Sequence, residues 1–184
     1  MRVSFEIEAS DVRRFLQALA RARRMVRDAD EADLVAAAKH ALDTLPIASA
    51  PGYVRKRLTE VQRLIVMLED ESWALSGAER EEVLRTLVYF SDPEDMIPDD
   101  VAVIGLLDDA IMLELLLRRL RHVIAAYEDF CAFRAGLATA AMERVEYARR
   151  LARKRETLQA RMRRRTQSDE SAKRAARKGA ASAA

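Results

Sequence analysis

Cysteine is almost missing from this chain. Cys131 is the only one among 184 residues, so no disulfide can close within the chain and no thiolate cluster can hold zinc or iron. Glycine and proline are also scarce, with five and four residues, which disfavours the turn-dense patterns of β-sandwiches and barrels. Aromatic residues make up 5 % of the chain and there is one tryptophan, Trp73. The two histidines, His40 and His122, lie in separate segments. Long apolar runs are absent as well: residues 101–107 are closed by Asp108 and Asp109, and residues 110–117 contain Glu114. Neither approaches the roughly 20 residues that span a bilayer. The chain does not open with a basic stretch, an apolar run and a small-residue cleavage site, so the expected location is the reducing cytoplasm.

What is present favours helices. Half of the residues are apolar and Ala, Leu, Arg and Glu dominate, the composition of an α-helical protein long enough for one domain and a tail. Residues 2–8 alternate Val3, Phe5 and Ile7 with polar residues, the period of an edge strand or extended arm over 1–9. Helical spacing then takes over. Ser10 is placed to cap a helix carrying Val12, Phe15, Leu16, Leu19, Ala22, Met25 and Val26, and Asp30 to cap a second carrying Leu34, Val35, Ala38, Ala41, Leu42 and Leu45, stopped by Pro46. A third helix from Tyr53 presents Val54, Leu58, Val61, Leu64, Ile65 and Leu68, and Ser76 with Glu79 reads as a capping box before a fourth with Val83, Leu84, Leu87, Val88 and Phe90. Residues 106–133 read as one long central helix with Ile111, Leu115, Leu117, Leu120, Val123, Ile124, Tyr127 and Phe130 inside. Gly136 marks a break, and a basic helix follows over 136–165, with a stripe of Leu137, Ala141, Val145, Ala148, Ala152, Leu158 and Met162. Residues 166–184 offer little to bury and are expected to be disordered. The fold class expected is all-α: a single bundle of about five or six helices over 10–135, a short extended N-terminal segment and a basic C-terminal helix and tail.

Charge is divided unevenly. Thirteen of the 32 basic residues and only three of the 30 acids lie between Arg149 and Lys178, leaving nineteen basic and 27 acidic residues elsewhere. A basic tail on an acidic body suggests an anionic partner, a membrane surface or a nucleic acid. The residues that would meet its phosphates are Arg149, Arg150, Arg153, Lys154, Arg161, Arg163, Arg164 and Arg165. No aromatic side chain follows Tyr147, so base stacking is not expected. The bland alternative is a solvated helix face.

The most conformationally specified stretch is residues 92–109. Pro93, Pro98 and Gly105 accompany seven carboxylates: Asp92, Glu94, Asp95, Asp99, Asp100, Asp108 and Asp109. Asp92 before Pro93 suits a turn start, the prolines exclude helix continuation, and Asp108 and Asp109 suit the first turn of the next helix. A sharper alternative has Asp95, Asp99, Asp108 and Asp109 converging on Mg²⁺ or Ca²⁺ with oxygen ligands. Their spacing is not that of an EF-hand, and no cofactor is otherwise called for. His122 and Cys131 stand nine residues apart, on opposite sides of a helix and about 13 Å apart along it. They cannot form a nucleophile pair, and no phosphate loop or small-molecule site is evident, so the chain is expected not to be an enzyme.

The runs Tyr89-Phe90-Ser91-Asp92-Pro93, Asp95-Met96-Ile97-Pro98-Asp99 and Gly105-Leu106-Leu107-Asp108-Asp109-Ala110-Ile111 resemble the bacterial YkvA-like domain, a small helical domain of unknown function. The resemblance covers residues 84–117, under a fifth of the chain. Glu94 and Asp100 depart from the apolar residues of the commoner pattern and point to a subgroup with a longer helical N-terminus. The resemblance implies a helical fold and no reaction. The expected function is therefore a non-enzymatic protein-interaction or scaffold module with a protein partner or self-association. The alternatives are a peripheral anionic-surface binder acting through the tail and a cation-binding domain at residues 92–109.

Overall fold

The computed structural model describes residues 9–45, 50–92, 105–138 and 143–182. Seven helices make up all the regular structure among them: α1 (Ala9–Asp28), α2 (Glu31–Thr44), α3 (Gly52–Glu69), α4 (Ala78–Phe90), α5 (Gly105–Arg119), α6 (Arg121–Ala138) and α7 (Arg144–Ser182). The all-α expectation holds. The extended arm read at residues 1–9 falls almost wholly outside the described residues, and its last position, Ala9, is already helical. No helix among the described residues is long and apolar enough to cross a membrane.

Two features depart from the expected single bundle. The long helix of residues 106–133 is two helices, interrupted at Leu120, although no proline or glycine marks the place. The chain also divides into two compact units, Met1–Asp70 with Ala74–Leu120, and Glu71–Trp73 with Arg121–Ala184.

In the first unit α4 is the hub, packing against α1, α2, α3 and α5. Its sequence explains this, since Val83, Leu84, Thr86, Leu87, Val88 and Tyr89 are all buried and a helix apolar nearly all round must be surrounded. The Thr86 hydroxyl is satisfied within the helix by donating to the Glu82 carbonyl at 2.9 Å. One cluster joins Ala18, Tyr89, Met112 and Leu116, with Phe15 and Leu19 against it, and another joins Ala22, Leu34 and Val88 with Val26. The faces read for α2 and α3 are the buried ones. Asp30 caps α2 as expected, its carboxylate accepting from the Ala32 amide at 2.8 Å. Ser10 is already helical. The capping box at Ser76 does not form, because Gly77, at φ 70° and ψ −149°, is the residue that enters α4.

In the second unit α6 packs on α7. Trp73, fully buried, lies 5.1 Å from the Phe130 ring and 5.7 Å from that of Tyr127. Gln159 donates to the Trp73 carbonyl at 2.8 Å. Gly136 does not break the chain; α6 runs through it to Ala138. The basic helix begins at Arg144 and does not stop at 165: α7 continues to Ser182, where disorder was expected. Alanine, arginine, lysine and glutamine are strong helix formers, and composition that cannot fill a core can still sustain a helix. The buried residues of α7 are Leu151, Leu158 and Met162. Val145 and Ala148, read as part of the stripe, are exposed.

Candidate functional site

The end of α4 is closed by its own side chains and by α1. The Ser91 hydroxyl donates to the carbonyls of Leu87 at 3.1 Å and Val88 at 3.3 Å, and Phe15 meets Tyr89 edge-on at 5.6 Å. Asp92, read as a local turn former, receives both Nε and Nη2 of Arg21, at 3.1 and 3.0 Å, on one oxygen. The first aspartate of the motif therefore ties the exit of α4 to α1 through a pairing that no local pattern announces. Gly105 opens α5 and Asp108 and Asp109 fall in the first two turns of that helix, where carboxylates oppose the positive end of the helix dipole. Pro93, Asp95, Pro98 and Asp99 lie outside the described residues, as do the side chains of Asp108 and Asp109. The Mg²⁺ or Ca²⁺ site expected on Asp95, Asp99, Asp108 and Asp109 lies there with them. Among the described residues no three of His, Cys, Asp or Glu are grouped to hold a metal ion.

The eight basic residues singled out on α7 differ in their surroundings. Three are committed within the second unit: Arg150 donates to Glu146 one turn back at 2.6 Å, Arg161 pairs with Asp129 of α6, and the Lys154 ammonium sits 5.0 Å from the Phe133 ring centre. Arg149, Arg153, Arg163, Arg164 and Arg165 are exposed. At 100° per residue, Arg149, Arg153 and Arg164 fall within about 60° of one another and opposite Leu151, Leu158 and Met162. Further along, Asp169 engages Arg121 and lies 2.7 Å from His122 Nε2. The hydrogen bond with His122, and after it the charge of Arg121, holds its carboxyl below the usual range. His122 is thus occupied with α7 and not with Cys131. Cys131 is half-buried and accepts a long contact of 3.7 Å from Arg134.

A comparable arrangement serves structure in the first unit. Glu114 on α5 receives Arg118 Nε at 2.8 Å and pairs with Arg57 of α3. The Arg57 guanidinium also lies 4.5 Å from the Tyr53 ring centre. The hydrogen bond from Arg118 is the main reason the Glu114 carboxyl is held low, with Arg57 adding to it and burial opposing it.

Sequence reasoning overlooked α1. It holds six arginines against two aspartates, yet its charge was absorbed into the acidic average of the body. The signal that finds it is charge summed by helix, not by half of the chain. Arg13, Arg23, Arg24 and Arg27 are exposed, as are Val12 and Leu16, two residues read as core.

No curated protein and no solved structure matches this chain. Residues 83–115, which run from the hub helix α4 into α5, match the family model described as "Protein of unknown function (DUF1232)", the same family as the YkvA-like domain, and carry that family's motif in this chain.

Proposed function

We propose that the chain is a non-enzymatic interaction protein that holds an anionic partner along the outer face of α7. The observation that carries this reading is the row of exposed arginines Arg149, Arg153 and Arg164 on the side away from Leu151, Leu158 and Met162. Arg149 and Arg164 stand about 22 Å apart along one rigid helix. Guanidinium forks at such intervals suit several phosphates of a polyanion better than one small ligand. Attraction of this kind is insensitive to sequence and weakens as salt rises.

Removing α7 would be a poor test, because it would strip Leu151, Leu158 and Met162 from the second unit. The suitable variant is R149Q/R153Q/R164Q in the full chain, which touches exposed positions of the outer face alone. Titrated at low salt against duplex DNA and against phosphatidylglycerol vesicles, the parent protein is expected to bind at least one of them. Removing three phosphate contacts should reduce the dependence of log K on log salt by about 3 for duplex DNA. Equal binding by parent and variant, or no binding by the parent, refutes the proposal.

A further inference from the structure

The outer face of α1 combines two features that rarely coincide on a solvated helix. Its inner face is used: Ala18 and Ala22 are buried, and Phe15, Leu19 and Val26 pack on the clusters around Tyr89 and Val88. Apolar residues nevertheless remain outside, Leu16 at 57 % and Val12 at 45 % exposure. A single exposed leucine is ordinary; its neighbours are what matter. At 100° per residue, a sector of about 120° on α1 contains Val12, Leu16, Arg13, Arg23, Arg24 and Arg27, with Asp11 and Asp28 both outside it. All six are exposed. Among the described residues the sector therefore presents two exposed apolar side chains and Arg13 at its N-terminal end and Arg23, Arg24 and Arg27 further along the same side, on a body whose remaining charge is acidic.

We infer that this face of α1 is a peripheral docking surface for a bilayer containing anionic lipid, with Leu16 and Val12 entering the boundary between headgroups and acyl chains and Arg13, Arg23, Arg24 and Arg27 meeting the phosphates. The arginine stems are long enough to lie along the apolar boundary while their guanidinium ends stay with the headgroups. Burial of two aliphatic side chains adds an apolar contribution that charge alone lacks. A nucleic acid would satisfy the arginines and leave Leu16 and Val12 in water, so the bilayer is the partner this face fits. The inference does not depend on the reading of α7, since it rests on different residues of a different unit.

The test uses the full chain and vesicles of phosphatidylcholine with or without phosphatidylglycerol. Sedimentation should capture the protein on the anionic vesicles only. Each arginine near such a surface contributes roughly fivefold to partitioning, so R13Q/R23Q/R24Q/R27Q should bind more than tenfold more weakly. V12A/L16A, with its charge intact, should lose severalfold. Neither should lower the melting temperature, because all the positions are exposed. A Leu16→Trp variant should add a fluorescence component that shifts to the blue with anionic vesicles and not with duplex DNA. Undiminished vesicle binding by the arginine variant overturns the inference. So does a loss confined to the arginine variant with V12A/L16A unchanged, which would indicate a purely electrostatic ligand. Loss of vesicle binding in the α7 variant alone would overturn the α1 inference and leave the α7 reading standing, whereas loss in the α1 variant alone supports the α1 inference and leaves the α7 reading to be decided by duplex DNA.

Discussion

Arg80 on α4 meets Glu31 in the first turn of α2 fork to fork, Nε lying 3.1 Å from Oε2 while Nη2 bonds Oε1. Its remaining nitrogen, Nη1, donates to the carbonyls of Leu68 at 3.2 Å and Leu75 at 3.0 Å. One side chain thereby links the start of α2, the end of α3 and the connector that enters α4, all within the first unit. Only a planar guanidinium can satisfy three partners in this geometry. Arg80→Lys is expected to cost about 1–3 kcal/mol, because two carbonyls lose their donor while the charge is kept. Glu31→Gln, at a more exposed carboxylate, should cost less than about 1 kcal/mol. Urea denaturation of both variants checks the order, and a lysine variant as stable as the parent would show that the fork contributes nothing.

Phe130 and Leu115 were both read as interior positions of one helix, and the structure separates them. Phe130 is fully buried against Trp73, whereas Leu115 is 42 % exposed. Phe130→Ala should destabilise the protein by about 3–5 kcal/mol. Leu115→Ala should stay within about 0.5 kcal/mol of the parent. Thermal unfolding followed by circular dichroism distinguishes the two.

Two glycines should respond to alanine with opposite signs. Gly77 sits at φ 70°, ψ −149°, a conformation that any Cβ makes strained, so Gly77→Ala should cost about 1–3 kcal/mol. Gly136 lies inside α6, and a Cβ there would meet nothing within 4 Å. Gly136→Ala should therefore stabilise by about 0.5–1 kcal/mol, through helix propensity and a less disordered unfolded chain. Chemical denaturation midpoints measured side by side give both signs.

Glu114 gives the first unit a defined acid response. Its carboxyl is held low in the folded protein by Arg118 and Arg57, so as pH falls the unfolded chain takes up the proton first. The stability this contributes is complete above the ordinary glutamate range, near pH 4 to 5, and is lost as pH drops through the lower folded-state value. Glu114→Gln should be less stable than the parent at neutral pH and approach it below about pH 4. A constant difference across a pH series of denaturation curves would contradict this.

Individual residues show how far the chain could be read directly. The inward faces of α2 and α3 followed from spacing, because those helices carry one apolar stripe and polar residues elsewhere. The cap at Asp30 followed from the preference of aspartate for that position. The same logic failed at Ser76, where a glycine one residue on could adopt backbone angles that serine could not. It failed for Val12, Leu16 and Leu115, since periodicity shows that a face is apolar without showing that a partner covers all of it. The Arg21–Asp92 pair spans 71 positions, a separation at which no spacing rule operates. Among the candidate site residues, the contacts of Arg150, Arg161 and Lys154 on α7 depend on Glu146, Asp129 and Phe133, two of which belong to another helix or its end.

The opening absences determined a good deal by themselves: no internal disulfide, few turns, no bilayer-length apolar run, and helices wherever alanine, leucine, arginine and glutamate recur at helical intervals. Those are properties of local chain stiffness and composition. Packing decided the rest. It made the short α4 the hub, not the more apolar stretch after Gly105, interrupted the helix at Leu120, and drew Trp73 into the second unit. Which side chains share a core depends on contacts between residues far apart in the chain, and local pattern carries almost none of that information.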